Sequence, residues 1–267
     1  MSRCRILRLA GPFKDITEWK CDAIATSANA GLCGNLTPSY WRFRQSPSSF
    51  TVGIRHVASQ DTRAYPNVDG ALHKVAGSQL REALAALVER RGTVVLPLPS
   101  EGQGRSWRGS LLPSSTNGEV ACLTGAAVST PAFGELQASI VIHAVAPDGL
   151  FTRGPKGEAA ALLRQCFASC LAITEEHGLQ SVAIPSLGCG VNRWRPSAAA
   201  HEAIEAVADW AQHCSSRSGD SSSALERVDF VLQNPEVWGE WRRRITQRFG
   251  EPSVPDDEGT LSWQIGD

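Results

Sequence analysis

Between Ser181 and Ala206 the chain reads SVAIPSLGCGVNRWRPSAAAHEAIEA. A short apolar run, Pro185, two glycines one residue apart (Gly188 and Gly190), a polar bend and an alanine-rich stretch predict strand, glycine loop and helix in direct succession. Such a junction offers unpaired backbone N–H groups and the positive end of a helix dipole, which suits a phosphate or another anion. A plain tight strand-to-helix turn would use the same residues, so this stretch alone does not choose between the two.

The segments around it repeat the alternation. SIVIHAVAP reads as a continuous apolar strand and GEAAALLRQCFASCLAITEEHG as an amphipathic helix ending on Gly178. SVAIPSL is followed by a helix to about His213, a serine-rich loop, the strand ERVDFVLQ and a last helix from Pro235 to Phe249. Alternating strands and helices predict an α/β sandwich, a three-layer α/β/α arrangement on a mixed, largely parallel sheet. Upstream, CRILRLAG and CDAIATSAN read as strands, the second closed by Asn29 and Gly31. VDGALHKVAGSQLREALAALVER has the spacing of an amphipathic helix, or of two helices broken near Gly77. TVVLPLP is strand-like.

Residues 32–67 have no sustained period and include Tyr40, Trp41 and Phe43, so they read as an insertion. Residues 100–118 read as a polar surface loop, and the acidic, proline-bearing tail 251–267 is expected to lack structure. With 267 residues, 42% of them hydrophobic, a single domain over 1–250 accounts for the rest. A net charge of −1 gives no general field toward nucleic acid or anionic membrane. No run approaches the roughly 20 apolar residues that span a bilayer, and MSRCRILRLAG lacks a signal core, which predicts a cytosolic or nuclear protein. Of the eight cysteines only Cys166 and Cys170 lie one helical turn apart, a pattern expected of core packing, so no metal site is expected.

In open α/β sheets ligands collect beyond the carboxyl ends of the strands. Asn29, Thr124, Gly125, Pro147 and the Gly188–Trp194 stretch all fall at predicted strand ends or loops. Each also has a plain reading. Asn29 suits a turn, Asp22 a cap or an acceptor for an adenine amino group, and Asp69 the first turn of a helix. His73, four residues after Asp69, is either an ordinary half-buried imidazole or its partner in positioning a water. Trp194 is either core or a cover for a base or ribose.

Taken in order, KDITEWKCDAIATSAN, VDGALHKVAG, CLTGAAVST, SIVIHAVAP, SVAIPSLGCGV and RVDFVL resemble the macrodomain family across about residues 5–249. The resemblance implies a module that binds ADP-ribose, free or attached to protein, and in some members removes it. It implies that Asp22 contacts adenine, Asn29 the distal ribose, and the backbone around Gly188, Cys189, Gly190 and Val191 the diphosphate. Ile24, Thr124, Gly125, Ser186 and Asn192 complete the implied ligand-binding set. Asp69 and His73 fall where MacroD-type members carry a catalytic Asp that activates or orients a water, with its His neighbour. GCGVNRW is similar to the loop of a subgroup with terminal ADP-ribose glycohydrolase activity, whose Asp position is Asn192 here. The family's glycine-rich run before VDG is replaced by the insertion and AYPN. Two functions follow as expectations: hydrolysis of a mono-ADP-ribosyl linkage, or reading of ADP-ribose without turnover. Neither implies a cofactor, a metal, a membrane or nucleic acid, and a monomer is expected.

Overall fold

A computed structural model describes residues 5–32, 67–92, 94–95, 119–149, 157–216 and 223–266. Seven of its strands form one sheet in the order β5-β6-β2-β7-β8-β1-β9. These are β1 (Arg5–Ala10), β2 (Ala23–Ser27), β5 (Ala127–Pro131), β6 (Ile140–Ala144), β7 (Ser181–Ile184), β8 (Arg227–Val231) and β9 (Leu261–Ile265). The central strands β6, β2, β7, β8 and β1 run parallel, and β5 and β9 close the two edges antiparallel. The sheet is mixed and largely parallel, as its sequence pattern predicts. A small antiparallel pair, β3 (Val94–Val95) and β4 (Glu119–Val120), lies apart from it.

Among the described residues, five α-helices cover the two faces. α1 (Val68–Ala76) and α2 (Ser78–Arg91) meet at Gly77, whose φ of 75° no β-carbon favours, so the amphipathic stretch breaks into two helices there. Asn67 caps α1 by accepting the Gly70 amide on Oδ1 at 2.7 Å. α3 (Glu158–Glu176), α4 (Pro196–Ser216) and α5 (Pro235–Phe249) pack on the opposite face. There Leu7, Phe167, Ile184, Phe230 and Trp241 form the main core, with Cys166 and Cys170 wholly buried inside it. The α1/α2 face is split into two apolar clusters, one around Ile24, Leu72 and Val141 and one around Leu84, Val128 and Val145. No helix among the described residues is long and apolar enough to cross a membrane.

The tail corrects its expectation. Residues 261–265 form β9 on the free edge of β1, with Leu261, Trp263 and Ile265 buried and the Trp263 indole N–H donating to the Gly250 carbonyl at 2.9 Å. Asp256, one of the acids that point to disorder by composition, accepts the Glu258 and Thr260 amides and pairs with Arg8 at 3.0 Å. Of the insertion, only Leu32 and Asn67 are described, so Tyr40, Trp41 and Phe43 lie outside the described residues, as does the 100–118 loop.

Candidate functional site

Because five neighbouring strands run parallel, the loops after β6, β2, β7, β8 and β1 line one edge of the sheet in that order. The loop after β7 runs from Pro185 to Arg195. Gly188 sits at φ 87° under Trp194, where a β-carbon would lie 2.8 Å from the Trp194 Cδ1. Inside the loop the Cys189 amide donates to the Ser186 carbonyl, Arg193 to Gly190 and Trp194 to Gly188, at 3.0 to 3.1 Å. The amides of Gly188, Gly190, Val191 and Asn192 donate to no group among the described residues. Gly190 and Val191 are exposed, Asn192 is half-buried, and α4 begins at Pro196. Successive unsatisfied amides ahead of a helix start form a cradle for an anion.

Three hydrogen bonds lock this loop to the one after β6. Asn192 Nδ2 donates to the Ala146 carbonyl at 2.8 Å, the Gly149 amide to the Asn192 carbonyl at 2.6 Å, and Trp194 Nε1 to the Pro147 carbonyl at 2.8 Å. Gly149 permits this approach, since a β-carbon there would lie 2.9 Å from Asn192 and Trp194 backbone atoms. Trp194, 7% exposed, therefore belongs to the core and pins the loop, and the Asn192 side-chain amide is spent as a strut.

Other residues from the sequence reading separate into two groups. Asn29, half-buried, follows β2 on the same edge, with its carbonyl accepting the Leu32 amide at 3.0 Å. Thr124 and Gly125 also reach this edge, because β5 starts opposite the end of β6. The Gly125 amide is spent on the Val145 carbonyl and its carbonyl accepts Ser169 Oγ, so Gly125 builds a turn. Ser186 and Cys189 are half-buried in the β7 loop, and burial pushes the Cys189 thiol up to about 12, keeping it protonated at neutral pH.

Two expected ligand residues lie elsewhere. Ile24 is completely buried at the middle of β2 and packs in the cluster of Leu72, Val141 and Ala183, where nothing but core can touch it. Asp22 precedes β2 at the amino end, separated from the glycine loop by the length of β7, about 13 Å. Its Oδ2 accepts the Gln180 amide, the Ser181 amide and the Ser181 hydroxyl at 2.9 to 3.0 Å, a strand-end cap beside an open cleft of about 620 Å³. Asp15 is the carboxylate that follows β1 on the carboxyl edge; its Oδ1 caps Thr17. Beside it, Phe13 is 77% exposed at φ 73°, an unusual conformation for an aromatic residue, with its amide held by the Gln233 carbonyl at 3.1 Å. A phenylalanine between proline and lysine, outside any apolar pattern, was the sequence signal for it.

Asp69 and His73 are not at the surface. Both are 1% exposed on the sheet-facing side of α1, with His73 Nε2 3.8 Å from Asp69 Oδ1 and Thr26 Oγ1 of β2 donating to the same oxygen at 3.3 Å. Alongside lie Thr130 of β5 and His143 of β6, joined by an Oγ1 to Nε2 hydrogen bond of 3.0 Å. Burial, reinforced by the Arg81 guanidinium, pulls the His73 imidazole down to about 4; burial, reinforced by His73, pulls His143 to about 3. Both rings are therefore neutral at pH 7, and the Asp69–His73 contact is not an ion pair. A histidine inside the apolar run SIVIHAVAP was the visible sign of this island.

A Macro domain family profile matches residues 113–203. An O-acetyl-ADP-ribose deacetylase of Salmonella gallinarum is 27% identical over 239 residues, 90% of this chain and 94% of the relative. A Macro domain-containing protein of Ralstonia nicotianae is 28% identical over 72% of this chain and 74% of its own length. Among solved structures, the macrodomain of Oceanobacillus iheyensis with ADP superposes with a TM-score of 0.58 at 19% identity, covering 91% of this chain and 97% of that one. The Trypanosoma brucei macrodomain in complex with ADP-ribose gives 0.52 at 21% identity, covering 90% and 68%. The partial profile match, the relatives and the shared fold agree that the chain is similar to macrodomain proteins.

Proposed function

We propose that this protein binds ADP-ribose, free or attached to a protein, along the carboxyl edge of its sheet. The diphosphate lies over Gly188, Gly190, Val191 and Asn192, the exposed Phe13 ring and Asp15 receive the adenine, and Asn29 meets the distal ribose. One observation carries this reading: consecutive loop amides ahead of α4 without partners among the described residues, held rigid by three hydrogen bonds to the neighbouring loop. The loops after β1, β8, β7 and β2 are consecutive in the sheet, so the row spans roughly 14 Å at three strand spacings. The proteins it resembles include one crystallised with ADP-ribose and one with ADP.

A second reading, hydrolysis of an ADP-ribosyl or acetyl ester, is favoured by the deacetylase relatives that match 90% of the chain. It would place Asp69 at the attacking water. The burial of Asp69 and the hydrogen bond it accepts from Thr26 favour holding over turnover. Calorimetry with ADP-ribose tests the first reading: saturable binding is expected, and no heat at high micromolar ligand contradicts it. Incubation with mono-ADP-ribosylated protein and with O-acetyl-ADP-ribose tests the second. Release by wild type and not by Asp69→Ala supports it, and absence of release by wild type removes it.

A further inference from the structure

The five polar side chains on the α1 face are out of place by ordinary packing rules. Thr26, Asp69, His73, Thr130 and His143 are all at least nine-tenths buried, wedged between the two apolar clusters of that face. Buried polar atoms are nearly always hydrogen-bonded, and each one left without a partner is destabilising. Here neither ring nitrogen of His73 has a hydrogen-bond partner, nor has Nδ1 of His143. The threonines do not satisfy them: Thr26 turns to Asp69, and Thr130 takes Nε2 of His143.

We propose that Asp69, His73 and His143 hold a divalent transition-metal ion, zinc being the best match to the donors. One ligand atom from each of the three residues lies within 4.8 Å of the others. Two imidazoles and one carboxylate form a donor set that suits zinc and its neighbours, whereas calcium and magnesium require oxygen throughout. The backbone fixes the arrangement: Asp69 and His73 share one face of α1 one turn apart, and His143 rises from β6 opposite Thr26 of β2. The Thr130 hydroxyl on Nε2 orients the His143 ring and leaves Nδ1 as its coordinating atom, the usual outer partner of a metal-bound histidine. Both rings are neutral at pH 7, so their lone pairs are available. Zinc donors stand about 3.4 Å apart, so loading draws the three side chains inward by rotation about their own bonds. The ion would clamp α1 to β6 beside β2, the strand that Asn29 follows. This proposal does not rest on ADP-ribose binding, and substitutions in the glycine loop leave it untouched.

The test uses the full chain, unfolded with a chelator, refolded with zinc or cobalt(II) or with neither, and dialysed. One ion per chain is expected, with a thermal midpoint raised by roughly 5 °C at a hundredfold excess over Kd. The cobalt form should show visible bands of a low-coordinate nitrogen and oxygen site without thiolate charge transfer. His73→Gln and His143→Gln should each weaken metal binding at least about a hundredfold while keeping the circular dichroism spectrum and a cooperative thermal transition as proof of folding. Metal-free wild type after refolding in zinc overturns the proposal and assigns the island to buried water. Thiolate bands, or undiminished loading in both variants, overturn it in favour of a cysteine site. The cobalt spectrum decides even where a variant fails to fold.

Discussion

Two polar regions sit within a few residues of the same strands and solve opposite problems. The loop of residues 186–194 is open, and its donors are backbone amides, two of them on the exposed residues Gly190 and Val191. The island of Thr26, Asp69, His73, Thr130 and His143 is closed, and its polar groups are supplied by buried side chains. An amide cradle needs only a chain path, fixed here by Gly188, Gly149 and Trp194. A side-chain cluster needs each residue, and its free energy depends on protonation and on whatever partners the orphan nitrogens.

Acidification should separate the two regions most strongly. In the unfolded chain His73 and His143 take up protons near pH 6.5, whereas in the fold they do so only near pH 4 and pH 3. Below pH 6.5 the unfolded state therefore binds more protons, and stability is lost as pH falls, by several kcal/mol in total once both would be titrated. Urea unfolding from pH 7.5 to pH 4 measures this, and His143→Gln should flatten the profile. A wild-type profile level across that range would break the contrast.

The next effect belongs to the open region alone. A β-carbon added at Gly190 would meet no atom within 4 Å, and the φ there is one that any residue adopts, so Gly190→Glu should fold with an unchanged thermal midpoint. A carboxylate set among the cradle amides should weaken ADP-ribose binding about a hundredfold, measured by calorimetry. Gly149→Ala sharpens the role of the loop lock: its β-carbon meets backbone 2.9 Å away, so a loss of about 1–3 kcal/mol in urea unfolding is expected, with weaker binding. Asn192→Ala removes only the strut to Ala146 and should cost about 1 kcal/mol.

Much of the architecture is legible because its strands are short apolar runs closed by glycine, proline or asparagine, and because SVAIPSLGCGV announces its own turn. Composition read without period misleads. Acids and prolines point the tail toward disorder, yet LSWQI alternates apolar and polar residues, and that alternation is what buries Leu261, Trp263 and Ile265 on β1. Asp22 shows a different limit: it precedes the strand that Asn29 follows and so lies at the amino edge, away from the ligand edge, where its carboxylate is consumed by the Gln180 and Ser181 amides. Ile24 follows from period two, since every second residue of β2 faces the α1 cluster. Asn192 and Trp194 acquire their roles only when the β6 and β7 loops meet, a contact 46 or 47 residues apart in sequence. His143 stands in plain view but needs Asp69 and His73, about seventy residues earlier in the chain, before it means anything.

Whether the four loop amides hold the diphosphate is tested most directly by amide proton and nitrogen shifts, recorded by NMR during an ADP-ribose titration. Large saturable shifts are expected at Gly188, Gly190, Val191 and Asn192, with the amides around Asp22 at the opposite edge unmoved. Saturable shifts around Asp22 and Ser181 with the glycine loop silent would contradict a diphosphate site in that loop.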